Sequence, residues 1–389
     1  MKTLTFLAIA FLLFFNCGGD VEFQTAEMPP PLADVLTLEL SFGDEKTVTK
    51  NEFLLARPIG LAVNNNNDIL VADEDWVKVF DRNGEEKMKL GGPGDGPGEF
   101  RRLGYIYTGP TGIIAATSLS RITLYSPDYV YIDEVNLKLN ADFIRFSNEL
   151  PYSSLSPRQI IQLSENSRII YARSNTTQSD PPYTGDIDLL IFQDSDSFLC
   201  VTEYEPKILI VIDGYGSSIP FQSSFLWGMI SENRAVYHRP KMDKETIDGQ
   251  SYYILNEFSI DDEQTNKIIQ PYKPVTIPDS LKQLYTNRNF RSDVGKFIGN
   301  IVKDITYYPP VQSIYTDRNY IFVFTYLTNN KNEILADVID AVSQQPVSSA
   351  YFPFVPKLIK DGFFYNVQKN DDGFLVIAKY RIDSAVYGK

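Results

Sequence analysis

Gly60-Leu61-Ala62-Val63, a polar turn over residues 64–68, then Ile69-Leu70-Val71-Ala72-Asp73 make one unit: an apolar strand, a turn of Asn and Asp, a second apolar strand. The unit returns as Ile160-Ile161-Gln162-Leu163, Ser164-Glu165-Asn166 and residues 169–173. It returns again as Gly228-Met229-Ile230, Ser231-Glu232-Asn233 and 235–239. Two further copies are Ser313-Ile314-Tyr315 with 321–325, and Leu358-Ile359 with Phe363-Phe364-Tyr365. A weaker one joins Ile106-Tyr107 to residues 113–116 through a turn at 109–112. Self-similarity at this period is the mark of a repeat architecture. Most copies run on into a third strand (residues 77–80, 122–125, 189–192, 375–378) and a fourth (129–135, 348–352). Four antiparallel strands repeated around an axis predict an all-β, six-bladed β-propeller.

The last copy runs out after three strands, while a spare strand, residues 35–42, stands at the other end of the chain. Pairing it with residues 375–380 would close the ring and remove an open sheet edge. Alternation of Leu36, Leu38 and Leu40 predicts that one face of this strand is buried.

Arg57-Pro58-Ile59-Gly60-Leu61-Ala62-Val63, Ile69-Leu70-Val71-Ala72-Asp73, Val79-Phe80-Asp81 and Asn83-Gly84 together resemble an NHL-type blade. The Gly-Pro run over residues 91–100 is similar to the junction that ends such blades. The likeness is specific over residues 57–103 and diffuse beyond. The chain as a whole resembles the TolB-like six-bladed propeller lipoproteins of bacteria. That resemblance implies a fold and leaves the activity open.

Met1-Lys2-Thr3 is a short cationic head, and residues 4–15 are apolar except for Thr5. Such a run spans about 18 Å as a helix, against about 30 Å for a bilayer core, so residues 1–16 read as a signal peptide. Cys17-Gly18-Gly19-Asp20 resembles the bacterial lipobox, although Phe14, Phe15 and Asn16 depart from its usual aliphatic and small residues. The expectation is a lipidated Cys17, a flexible tether over 17–33 stiffened by Pro29-Pro30-Pro31, a propeller over 34–389, and a lipid-anchored place in the cell envelope. A plain secreted protein, or a disulfide from Cys17 to Cys200, is the alternative.

A net charge of −14 weighs against nucleic acid, whose backbone is bound through clustered cations. Residues 91–98 lack the strand-before, helix-after setting of a phosphate loop and read as a blade junction. Asn64 to Asn67 and Asp73-Glu74-Asp75 offer calcium-type oxygen ligands, but they fall at opposite ends of a strand and read as turns. The single histidine, His238, reads as a packing residue. No cofactor or metal is expected.

The long insertions all map to one face. Residues 174–186 and 240–251 join second to third strands, and 274–310, with a helical insertion over about 278–305, joins blades 4 and 5. The same face collects cations. Arg57, Arg101, Arg102, Arg158 and Lys357 stand where innermost strands begin, and Arg173 and Arg239 where second strands end. A ring of such groups at the channel mouth predicts recognition of an anionic group, with ion pairing to neighbouring blades as the structural alternative. The reading is a non-catalytic module that binds an anionic small molecule or a protein partner at that face. The alternatives are a propeller hydrolase, lactonase or lyase, and a structural subunit of an envelope assembly. If Cys17 carries lipid, Cys17→Ser should move the protein from the membrane to the soluble fraction, as fractionation and intact mass would show. Unchanged retention would refute it.

Overall fold

The computed structural model describes residues 29–118, 121–152, 155–175, 180–286 and 293–389; Cys17 and the leader lie outside them. Six four-stranded antiparallel blades form the ring. Blade 1 is Pro58–Val63, Ile69–Asp73, Trp76–Phe80 and Glu86–Gly91; blade 2 is Leu103–Thr108, Ile114–Ser118, Arg121–Tyr125 and Tyr131–Val135. Blade 3 is Ser156–Gln162, Ser167–Asn175, Asp186–Asp194 and Ser197–Tyr204; blade 4 is Leu226–Ser231, Arg234–His238, Gln250–Ser259 and Gln264–Tyr272. Blade 5 is Ser313–Asp317, Tyr320–Thr328, Ile334–Asp340 and Gln345–Phe352. Blade 6 takes Leu358–Lys360, Phe363–Lys369 and Leu375–Ile382 from one end of the chain and its outer strand, Leu36–Phe42, from the other.

The alternation read in the repeats now has its physical purpose. Each blade has two apolar faces, one for each neighbour, and every seam between blades holds its own cluster of buried side chains. Phe322 and Phe324 meet Phe364 between blades 5 and 6, for example, and Ile161 and Leu190 meet Tyr237 and Phe258 between blades 3 and 4. Burial of this kind, at about 25 cal/mol per Å² of apolar surface, is the main force holding blade to blade. Polar bonds set the angle. The Asp317 carboxylate of blade 5 accepts the Asp361 and Gly362 amides of blade 6, at 2.6 and 2.9 Å, and the Tyr387 hydroxyl at 2.7 Å.

The closing strand pairs in register Leu36↔Ile382 to Phe42↔Ile377. Its apolar alternation does not survive, however. A bulge between Leu38 and Leu40 turns Leu38 outward, where it is 54% exposed. The anchors are instead Val35 and Phe42, both buried. Phe42 seats against Phe80 of blade 1, ring centroids 4.8 Å apart, and under the Gly84 turn, where a Cβ would fall 2.8 Å from the ring.

Three departures from the sequence reading appear, two in insertions and one in the tether. A second helix, α1 (Ala141–Glu149), fills the junction of blades 2 and 3, capped by the Asn140 side chain accepting from the Phe143 amide at 2.7 Å. Blade 4 gains a fifth strand, Lys244–Ile247, which pairs with the lengthened third strand. The described end of the tether is not free: Leu32 bridges Ala350 in parallel, its amide bonding the Ser349 carbonyl at 2.8 Å. The register predicts that truncation through residue 28 leaves thermal stability unchanged, whereas truncation through Phe42 removes the closing strand and several kcal/mol of buried contact. Equal melting temperatures for the two would refute this closure.

Candidate functional site: the capped face

The insertions do not hang separately. The link from blade 3 to blade 4 forms a hairpin, Leu209–Ile212 with Tyr215–Ser218. The loop inside blade 3 docks on it, Thr184 donating its amide to Leu209 O at 3.0 Å. The link from blade 4 to blade 5 rises on a two-stranded stem, Ile277 donating to Thr306 O and Tyr308 to Val275 O. That stem carries α2 (Asp279–Thr286) and α3 (Asp293–Asp304). The two helices approach closely at Gly299, where a Cβ would sit 2.9 Å from Tyr285 O. Ile210, Ile219, Val294, Ile298 and Val302 make a seventh core, separate from those of the blades. The result is a cap over the side of the ring formed by blades 3 to 5. Leu281 and Leu284 face outward at 37% and 53% exposure, because α2 turns only part of its apolar face onto α3.

Between the cap and blade 4 lies a groove of about 570 Å³, floored by Phe221, Tyr272, Tyr307 and Tyr308, with Lys241 and Lys244 at its side. Tyr308 stacks on Tyr326 of blade 5, ring centroids 4.4 Å apart. Nothing in the sequence reading singled these aromatics out. Their spacing is irregular, and they meet only because the stem folds back.

The seven cations expected at the mouth fall into two sets. Three are pinned. Arg101 forms a two-pronged pair with Asp95 of its own junction. Arg173 bonds Asp188, its cross-strand partner in blade 3, at 2.8 Å. Burial works against the Arg173 charge, but the hydrogen bond and charge of Asp188 outweigh it and make the guanidinium more basic than usual. Arg239 grips Asp243 four residues on, at 3.0 and 2.8 Å, and reaches Thr202 of blade 3 at 3.3 Å. Arg57, Arg102, Arg158 and Lys357 are exposed and make no ion pair among the described residues. Of these, Arg57 and Arg102 share with Arg101 one cleft of about 330 Å³, which also holds Glu74 and Asp75. Arg158 and Lys357 stand at the starts of blades 3 and 6, outside it.

Glu74 and Asp75 share the cleft without an ion pair among the described residues, whereas Asp73 beside them is engaged in the scaffold. Asp73 is wholly buried, accepts from Lys78 at 2.7 Å and receives the Ala56 and Arg57 amides, so it fixes the approach to blade 1. Asn64 closes its own turn, its Oδ1 accepting the Asn66 and Asp68 amides at 3.0 and 2.9 Å. The glycine run folds around Phe100 and Glu99: a Cβ at Gly91 would strike the Phe100 ring, and Gly96 N donates to Glu99 at 2.8 Å. His238 is wholly buried, with Nδ1 donating to Ile254 O at 2.8 Å, and burial pushes it down to about 4. It is neutral and beyond the reach of solvent. Cys200 is a half-buried free thiol in blade 3, raised to about 11 by burial.

The sequence matches no family model, and no curated protein matches it. Several solved structures align along most of the chain, each at a TM-score below 0.5. A Bacteroides fragilis protein described as exported is 14% identical, with 90% of this chain and 96% of that one covered at a TM-score of 0.44. A gluconolactonase of Xanthomonas campestris is 9% identical, covering 84% and 86%, at 0.38. A streptogramin B lyase is 9% identical, covering 84% and 93%, at 0.32. Likeness at this level says nothing about ligand or chemistry.

The two sets of cations differ in what their loss would do. Arg173→Ala strands a buried Asp188 carboxylate and should cost about 3–5 kcal/mol. Arg102→Ala, at an exposed unpaired site, should stay within about 0.5 kcal/mol. Denaturant melts of both variants check the assignment, and similar losses would overturn it.

Proposed function

We propose that this propeller is a non-catalytic binding module of the bacterial cell envelope, held to a membrane through lipid on Cys17, whose capped face receives an anionic small molecule or an anionic group of a protein partner. One observation carries the anion reading. In a chain of net charge −14, Arg57, Arg102, Arg158 and Lys357 stand at the starts of the innermost strands with no carboxylate partner among the described residues. Pairing would stabilise exposed cations only weakly, so recognition accounts better than stability for the meeting of Arg57 and Arg102 in one cleft. Arg57 and Arg102 converge on one cleft, with the backbone of Arg57 fixed by Asp73. A guanidinium placed on a rigid strand start loses little entropy when it binds a carboxylate or phosphate.

The groove under the cap adds aromatic rings, Phe221, Tyr272, Tyr307 and Tyr308, beside the charged Lys241, Lys244, Glu245 and Asp304. The cap also presents Val211, Tyr215, Met242 and Tyr307 to solvent, each more than two-fifths exposed. Large exposed side chains on loops over a rigid scaffold suit binding. The hydrolase, lactonase or lyase alternative would have to draw on Glu74 and Asp75 of the cleft, since Asp73, Asp188 and Asp243 are tied to Lys78, Arg173 and Arg239.

Calorimetry with inorganic phosphate and with citrate tests the proposal. The double variant Arg57→Ala/Arg102→Ala should weaken binding by about 1.5–3 kcal/mol, the range for hydrogen bonds to charged groups, with its melting temperature unchanged. No saturable binding of either anion, or equal affinity in the variant, would overturn it.

A further inference from the structure

The seam between blades 4 and 5 holds a feature remote from the mouth cleft. The buried carboxylates of this chain have strong partners: Asp68, Asp73, Asp188, Asp243 and Glu257 each pair with a Lys or Arg. Asp44 and Asp317 accept backbone amides. Asp337 is the exception. It sits in the third strand of blade 5 with 9% exposure, and among the described residues its one partner is the Tyr253 hydroxyl of blade 4, at 3.2 Å. Burial raises its carboxyl to about 6, against a small lowering by Tyr253.

Asp337 does not face packed side chains alone. It lines a cavity of about 300 Å³ whose other walls are Tyr272, Tyr326, Leu335 and two proline pairs, Pro30-Pro31 of the tether and Pro309-Pro310 of the stem. Lys273 is also a lining residue and makes no ion pair with Asp337 among the described residues. A carboxylate in an apolar enclosure calls for a cation brought from outside. Two tyrosine rings beside it add a second attraction for a positive centre. The volume is at the lower end for small-molecule sites.

We propose that this cavity binds a small organic ammonium ion, its charged nitrogen against Asp337 and its hydrocarbon against Tyr272, Tyr326 and the prolines. The site is independent of the anion cleft. It also depends on the tether, since Ser349, on the cavity wall, is bonded by Leu32 and donates its hydroxyl to Pro29 O at 3.3 Å.

Calorimetry on the full chain, with n-butylammonium as probe and 1-butanol as its uncharged counterpart, tests this. At pH 7.5 the amine should bind saturably and the alcohol should not. At pH 5 amine affinity should drop roughly tenfold, because Asp337 takes up a proton as pH falls through about 6. Asp337→Asn should lose at least tenfold in affinity at pH 7.5. Tyr253→Phe preserves the cavity and, by removing the bond that favours the carboxylate, should move the midpoint of the pH profile upward. It serves equally if the Asn variant does not fold. Binding of butanol as tight as the amine, affinity unchanged in Asp337→Asn, a midpoint unmoved in Tyr253→Phe, or no saturable amine binding at either pH would each overturn the assignment.

Discussion

A strand from near the start of the chain lies against one from near its end, and the ring exists because those two find each other. Until Leu36–Phe42 reaches Leu375–Ile382, blade 6 has a bare edge and the seam with blade 1 lacks Phe42. That seam gathers Phe42, Phe53, Phe80, Tyr365 and Ile377, drawn from both ends of the sequence. A contact this remote in sequence carries a large loop-closure cost before it gives anything back. Every other blade is a local meander. Closure converts six local objects into one cooperative body.

Rigidity matters because the starts of blades 1 and 6 are held through backbone amides. Asp73 takes the amides of Ala56 and Arg57 while its second partner, Lys78, comes from the next strand. The buried pair thereby sets where Arg57 begins and where blade 1 turns. Asp317 does the same for blade 6 through the amides of Asp361 and Gly362. Ion pairs of this kind contribute more to geometry than to net stability. The pinned arginines belong to the same system, whereas Arg57 and Arg102 extend beyond it.

The repeats made the ring legible because strand alternation is a local property, readable from a few residues such as Ile69-Leu70-Val71-Ala72. The partners of the cations were not legible. Arg173 meets Asp188 only through a cross-strand register, and Arg239 meets Asp243 only because the loop after blade 4's second strand turns back at once. Both find acids within their own blade, so a search among neighbouring blades misses them. Helix α1 left a trace in Asn140, an N-cap three residues before Phe143, yet its nine residues are too short for a clear period. Asp337 also left one: a lone acid inside Ile334-Leu335-Ala336-Asp337-Val338-Ile339 is out of place in a strand buried on both faces. The cavity beside it was invisible, because its walls come from the tether, the stem and two blades.

The docking of Leu32 on blade 5 decides where mechanical load enters the molecule. Under lipid anchoring, a pull on the protein arrives along the tether. It meets the paired backbone of Leu32, Ser349 and Tyr351 before it reaches the closing strand at Leu36. Blade 5, whose core is built from Phe322, Phe324 and Phe352, takes the strain. The closing strand, whose peeling would bare the edge of blade 6, lies behind this clip and is shielded from the direct line of force.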